Sequence, residues 1–398
     1  MTNIPKVTTP AHTCPSFDGA ATGRHGPEVT SAPGAKPLHL AETLLIAFAG
    51  GFLFDLARFP AGWMAGAMVA VAIAALAGRP MLMPTLLARA FFIALGITVG
   101  GIATPDTVRG MMTWPLNIVL IAVAMLVTTV AASVYLTRVH GWSPQTAMFA
   151  AVPGALSQVV VMAADRDADL RGIVVVQTVR AVATTIGVPI ALILFGLAGP
   201  ARFPVSGPGL IEAPWQAVLL VVAAVAAALA LYRVGFSGGF FFGPMVISAL
   251  LHGSGLIELR PPGWFANLAM VGLGAVNGSR FANTSFRTLM HYLAASLGSL
   301  AVAVGVLLGF VALAAAATSV HVSDLVVSYA PGAVDAMMIL AIALHADPVF
   351  VGACHLARII VVSAMLPFGA HLTERIGQKP HHHELPEPLD TARDALED

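Results

Sequence analysis

The stretch QTAMFAAVPGALSQVVVMAA, residues 145–164, is long and apolar enough for a helix, yet Pro153-Gly154 stands at its centre. A second apolar run, DLVVSYAPGAVDAMMILAIAL at 324–344, carries Pro331-Gly332 in the same place. Proline removes a backbone donor and clashes with the preceding helical turn. Glycine adds backbone freedom. Both runs are therefore predicted to be broken or re-entrant helices. Non-helical backbone at membrane depth is tolerated only where protein buries it or water lines it.

The surroundings set that depth. Of the 398 residues, 58% are apolar and only 10% are charged, against about 25% charged in a soluble domain. Mean hydropathy is +0.85. The three lysines, Lys6, Lys36 and Lys379, leave 37–378 without any, as hydrocarbon demands of a costly cation. A soluble enzyme, a nucleic-acid binder and a disordered chain are excluded; the formal net charge of zero leaves no basic footprint for DNA. Cys14 and Cys354 form neither a disulfide framework nor a CxxC metal site. What remains is an all-α polytopic membrane protein.

Twelve apolar segments are predicted: 40–58, 61–78, 86–103, 114–137, 145–164, 171–198, 214–232, 241–257, 264–279, 289–317, 324–344 and 349–371. They imply about 10–12 membrane segments, two of them Pro-Gly-broken. Residues 1–38 hold six prolines and no apolar run, which predicts a disordered tail. No signal-type apolar core follows a basic start, so the first hydrophobic helix is expected to direct insertion. Residues 373–398 read as a polar, acidic tail, in which His381, His382 and His383 lack the fixed geometry of a metal site.

The two Pro-Gly sites lie 178 residues apart, and at that offset an ungapped match runs from Leu95 to Arg180. Its identities include Gly96/Gly274, Gly100/Gly278, Pro153/Pro331, Gly154/Gly332, Asp169/Asp347 and Arg180/Arg358. Hydrophobic halves share Leu and Ala by chance, not Gly, Pro, Asp and Arg in one register. The chain thus reads as an N-terminal tail (1–38), membrane repeat 1 (39–199), membrane repeat 2 (200–372) and a C-terminal tail (373–398). If the Pro-Gly segments dip in and return, five segments cross per half and the repeats are inverted; that arrangement is preferred because most broken-helix transporter repeats adopt it. Paired Gly/Pro-interrupted segments are the sequence pointer to a secondary transporter.

At this point Ala151-Val-Pro-Gly-Ala-Leu-Ser-Gln158, the acidic loop ending at Asp169 and Gln177-Thr-Val-Arg180 resemble the duplicated membrane unit of the AbrB family. Ala330-Pro-Gly-Ala-Val-Asp335, Ala346-Asp347-Pro348 and His355-Leu-Ala-Arg358 resemble it equally, and the resemblance covers roughly residues 40–370. It implies a fold like that of the cation/proton-antiporter and anion-transporter superfamily. The family unit commonly reads Pro-Gly-Gly, whereas Ala155 and Ala333 follow the glycine here, which argues against a left-handed backbone at that position. Such proteins carry labels of transcriptional regulator or ammonia monooxygenase. A DNA reader needs a basic patch. A copper oxygenase needs converging imidazoles, and His140, His252, His291, His321, His345, His355 and His371 are scattered singly.

Individual residues divide into scaffold and candidates. Asp169 and Asp347 read as N-caps. Gly96xxxGly100 and Gly274xxxGly278 read as close helix packing. Asp55 and Arg58 are placed to pair at a helix end. The candidate substrate or ion site comprises Pro153, Gly154, Ser157, Gln158, Gln177, Arg180, Asn277, Pro331, Gly332, Asp335, His355 and Arg358. Asp335, opposite Ser157 in the repeat, is a rare acid in the membrane body: either an ion-pair partner, for instance of Arg358, or a coupling site for H+ or Na+. Ser157 and Gln158 offer neutral oxygens and amide donors at the other break. Asn277 replaces Val99 and could face a cavity. Arg180 and Arg358 lie one turn after Gln177 and His355 and need partners. A planar guanidinium suits a carboxylate, so at least one is expected to bind an anionic substrate.

The resulting expectation is a secondary transporter of a small polar or anionic solute in a bacterial inner membrane. Its partners are the lipid bilayer, the solute and H+ or Na+, in a chain able to form homo-oligomers. No cofactor, nucleic acid or enzyme activity is called for, and no GxxxxGK[ST] loop occurs. The alternative is a membrane sensor with little flux that acts indirectly on gene expression.

Overall fold

The structure, a computed structural model, describes residues 37–102, 114–153, 159–160, 162–163, 168–196, 213–236, 238–259, 261–282 and 284–377. Among these residues thirteen helices run in the order α1 (Pro37–Leu56), α2 (Gly62–Leu76), α3 (Thr85–Gly100), α4 (Pro115–His140), α5 (Pro144–Ala151), α6 (Leu170–Leu194), α7 (Pro214–Arg233), α8 (Gly239–Gly253), α9 (Gly263–Ser279), α10 (Phe286–Ala317), α11 (Val322–Tyr329), α12 (Val334–Ala343) and α13 (Pro348–Gly377). No strand occurs among them. Each of the twelve apolar segments begins within three residues of a helix start; 40 against Pro37 and 289 against Phe286 are the widest misses. Three helix starts recur at the 178-residue spacing: Thr85 and Gly263, Pro144 and Val322, Leu170 and Pro348.

Local chemistry sets these boundaries. Proline opens α4, α5 and α7, where its missing N–H is no loss. The Ser143 and Ser285 hydroxyls accept from the N–H groups of Thr146 (3.2 Å) and Thr288 (3.1 Å). Asp169 Oδ1 accepts from Arg171 N and Gly172 N, both at 3.1 Å. Asp347 Oδ1 accepts from Val349 N at 2.9 Å and Phe350 N at 3.2 Å. Both acids are the N-caps their position predicted. Gly141, at φ 69°, closes α4 in the left-handed region. The expected pairing of Asp55 with Arg58 does not form: the one ion pair among the described residues is Arg79 Nη1 to Glu42 Oε1, 2.7 Å.

Six helices are long and apolar enough to cross a membrane: α1, α4, α6, α7, α10 and the stretch Pro348–Leu366 of α13. Fewer helices meet that test than the 10–12 segments expected, because α2, α3, α8 and α12 are apolar but shorter than 18 residues, α9 has 17 residues, and α5 and α11 have eight each. Much of the apolar surface of α7 points outward: Val218 and Val222 are 64% and 61% exposed. Such a surface is unfavourable in water and natural in lipid.

The helices sort into two groups, each drawn from both halves of the chain. In the first, α1, α2, α3, α7, α8 and α9 pack together, with α2 against α9 and α3 against α8. In the second, α4, α5, α6, α10, α11, α12 and α13 pack together. Glycine makes the first group close-fitting. A Cβ on Gly96 would stand 2.5 Å from the Phe241 carbonyl oxygen of α8; one on Gly274 or Gly278 would stand 2.6 Å from the carbonyl oxygens of Met64 or Met68 of α2. The two small-xxx-small pairs are packing surfaces, as their spacing predicted.

Gly278→Ala is therefore expected to lower stability by about 1–3 kcal/mol through overpacking. Gly305→Ala, with nothing within 4 Å of the added carbon, is expected to be neutral or to gain roughly 0.5–1 kcal/mol. Melting temperatures of the purified variants in detergent check both.

Candidate functional site

The helical run at 322–343 is interrupted. α11 ends at Tyr329, Ala330-Pro331-Gly332-Ala333 is non-helical, and α12 restarts at Val334. Ala330 (φ −54°, ψ 134°) and Ala333 (φ −66°, ψ 139°) are extended, so alanine after the glycine fits without a left-handed residue. In the first half α5 stops at Ala151, Val152 is extended and Pro153 is buried. Gly154, Ser157 and Gln158 lie outside the described residues.

A helix end leaves unsatisfied carbonyls and a partial negative charge. Two arginines meet these ends. From α6, Arg180 Nη1 donates to Ala150 O (3.3 Å) and Ala151 O (3.0 Å), and Nη2 donates to Val152 O at 2.8 Å. From α13, Arg358 donates from Nη1 to Ala330 O and from Nη2 to Gly332 O, both at 2.9 Å. The Val152 and Ala330 carbonyls are equivalent at the 178-residue offset. Gln177 Nε2 adds a bond to Phe149 O at 2.9 Å. Its counterpart His355 sits beside Val327, the counterpart of Phe149, and neither ring nitrogen has a hydrogen-bond partner. Arginine suits this place because its charge persists and its fork reaches two carbonyls at once.

The second interruption lies against α6. A Cβ on Gly332 would stand 2.9 Å from Thr184 Oγ1, one turn beyond Arg180. Beside it, between the two helix groups, opens a cavity of about 380 Å³. Group one contributes Thr85, Arg89 and Phe92 of α3, Phe240, Phe241 and Phe242 of α8, and Arg280 just past α9. Group two contributes Gln177 and Arg180 of α6, the 331–335 stretch and Ile359.

The cavity thus brings together Gln177, Arg180, Pro331, Gly332 and Asp335 of the candidate residues. Asn277 stands behind it, its Nδ2 donating to Asp335 Oδ2 at 2.7 Å. His355 and Arg358 are completely buried and do not line it. Asp335 does not pair with Arg358, whose fork is held by backbone carbonyls. Among the cations lining the cavity, Arg280 acts on Asp335; the sequence reading did not single it out. The repeat carried the missing signal: at the 178-residue offset Arg280 stands opposite Ile102, as Asn277 stands opposite Val99. Arg89, inside α3, was not singled out either; its guanidinium lies over the rings of Tyr232 (5.0 Å) and Phe240 (4.8 Å).

This arrangement defines a helical integral membrane protein with a cation-lined cavity between two helix groups. The model of the family described as "Transition state regulatory protein AbrB" matches residues 63–374, and the chain belongs to that AbrB family. It is also similar to "Uncharacterized protein YhjN" of Bacillus subtilis (strain 168), 24% identical over 348 residues that cover 81% of this chain and 90% of the relative.

Arg358→Met is expected to destabilise the protein by about 3 kcal/mol or more, since it removes two charge-assisted bonds and leaves buried carbonyls unmet. Arg79→Met, which breaks only the exposed pair with Glu42, is expected to cost about 0–1 kcal/mol. Urea unfolding of both variants in detergent measures the difference.

Proposed function

We propose that the protein is a secondary transporter of a small polar or anionic solute, working by alternating access between the two helix groups. The observation that carries this reading is the cavity's position: it lies between the groups and is walled by the interrupted segment 330–333 and by the helix whose arginine holds the other interruption. Half-helix ends beside a cavity supply partial charges for a polar solute. A volume of about 380 Å³ fits the lower end of small-molecule sites, roughly 300–1,000 Å³. Sliding of one group past the other would expose the cavity to each side in turn.

The two halves are read as inverted repeats of a duplicated unit in a bacterial inner membrane. Support comes from the shared 178-residue spacing of helix starts and from the reciprocal packing of α2 on α9 and α3 on α8. Inversion has a direct consequence. Ser143 and His321, both exposed and 178 residues apart, fall on opposite sides of the membrane. Single-cysteine variants at these positions in a cysteine-free background are expected to react with an impermeant thiol reagent from opposite faces of intact cells and inverted vesicles. Labelling from one face would show parallel halves.

A second reading, a membrane sensor with little flux, is favoured by the regulatory description of the family. Zero net charge and a lysine-free body leave no basic surface for direct DNA contact, so any effect on gene expression would run through the solute.

The deciding experiment is uptake into proteoliposomes over a panel of labelled organic acids and polar metabolites, with imposed H+ or Na+ gradients. Gradient-driven accumulation is expected for the wild type, and its loss in Asp335→Asn with the protein still folded. No flux of any solute through folded protein would favour the sensor.

A further inference from the structure

We propose that the solute is an organic anion with an apolar body, that its anionic head sits on Arg280, and that Asp335 holds this place as a tethered competitor until it takes up a proton. The inference deepens the transporter reading and rests on it.

The charges lining the cavity are unequal. Arg89, Arg180 and Arg280 face a single acid, Asp335. Two of the arginines are engaged: Arg180 with the carbonyls at the end of α5, and Arg89 with the rings of Tyr232 and Phe240. The Arg280 guanidinium makes no hydrogen bond among the described residues. It lines the same cavity as Asp335, yet the two form no ion pair within contact distance. A cation and a carboxylate that line one cavity without closing on each other leave room for a polar head.

Asp335 stands in the first turn of α12, where free N–H groups also favour a negative charge. One carboxylate oxygen is taken by Asn277. Arg280 and the α12 terminus are the features that would attract a solute anion, and both already serve Asp335. A second anion entering this space meets repulsion from the ionised carboxylate. When Asp335 is protonated the repulsion is gone, Arg280 has no other counter-charge, and the neutral acid can donate an O–H to the solute. One proton then accompanies each monoanion, and no net charge moves.

The remaining charged and titratable groups around α12 do not replace this pair. Arg358 of α13 is held by Ala330 O and Gly332 O, and His355 of α13 is fully buried against the backbone of Val327. Arg89 of α3 and Arg180 of α6 are engaged as described, and Tyr329 of α11 reaches only Asn117 O, at 3.5 Å. Phe92, Phe240, Phe241, Phe242 and Ile359 also line the cavity and suit an apolar or aromatic body.

The test is binding to purified full-length protein in detergent, read as ligand-induced melting shifts across a pH series. The probes are benzoate and benzenesulfonate, with neutral benzamide and cationic benzylamine as controls. Both anions are expected to stabilise the wild type and the controls to have no effect. Benzenesulfonate, ionised throughout, is expected to lose affinity about tenfold per pH unit once Asp335 ionises, because the competent fraction falls by that factor. Asp335→Asn should bind the anions as tightly as acidified wild type and without pH dependence. Arg280→Gln should weaken them at least tenfold at every pH, and Arg280→Lys less. If Arg280→Gln does not fold, the wild-type pH series and the benzamide control decide alone. Equal stabilisation by benzamide, a pH-independent wild-type affinity, weaker binding by Asp335→Asn, or no response to either anion at low pH would each overturn the proposal. The readout needs no flux, so pH-linked anion binding without uptake would sink the transporter reading alone, and uptake of solutes without anion preference would sink this inference alone.

Discussion

A guanidinium fork closed onto the carbonyl end of a half-helix is the contact on which the rest of this structure depends. An interrupted helix in an apolar interior exposes backbone carbonyls that lipid cannot satisfy. Arg180 and Arg358 satisfy them from neighbouring helices at equivalent positions. Neither partner is stable alone: a buried arginine without acceptors is as costly as a carbonyl end without donors. Together they allow a non-helical strap, 330–333, to form part of a cavity wall. The arrangement also explains why these arginines, placed well inside long apolar helices, need no acidic partner. The carboxylate that might have neutralised one of them, Asp335, is left facing the cavity with Asn277 and Arg280.

The frame is near-symmetric and the site is not. Glycine contacts, N-caps, interruptions and arginine forks recur at one spacing. The residues that give the cavity its chemistry do not: Val99 becomes Asn277, Ile102 becomes Arg280 and Ser157 becomes Asp335. All three changes put polar or charged groups in the second half, at or behind a cavity whose aromatic side chains come from α3 and α8. Recurrence marks what holds the fold; departure from recurrence gathers at or behind the cavity.

This distinction also accounts for what could be read in the sequence. Apolar runs, prolines at helix starts and the Asp169 and Asp347 caps are local signals, and the helix starts followed from them closely. The interruption at Pro331-Gly332 was legible because proline and glycine act on their own backbone. The partners of Arg180 and Arg358 were not: their acceptors are main-chain carbonyls, which every residue carries and no residue type announces, so a carboxylate or a substrate was the natural guess. Arg280 was hidden because an arginine just past an apolar run looks like a snorkelling side chain. The C-terminal end of α9, where Asn277 bonds Asp335 of α12, places it at the cavity, and that is a tertiary fact.

Alternating access as proposed requires the two helix groups to move against each other as bodies, with the arginine forks keeping the second group intact. The most direct measurement is pulsed electron–electron distances between spin labels in lipid nanodiscs. One pair would join the groups, at Leu86 of α3 and Val139 of α4; the other would lie within group one, at Leu86 and Trp264 of α9, all exposed positions. The account predicts two populated distances for the first pair, their ratio shifting with pH and benzenesulfonate, and a single unchanged distance for the second. One fixed distance for both pairs under every condition would contradict it.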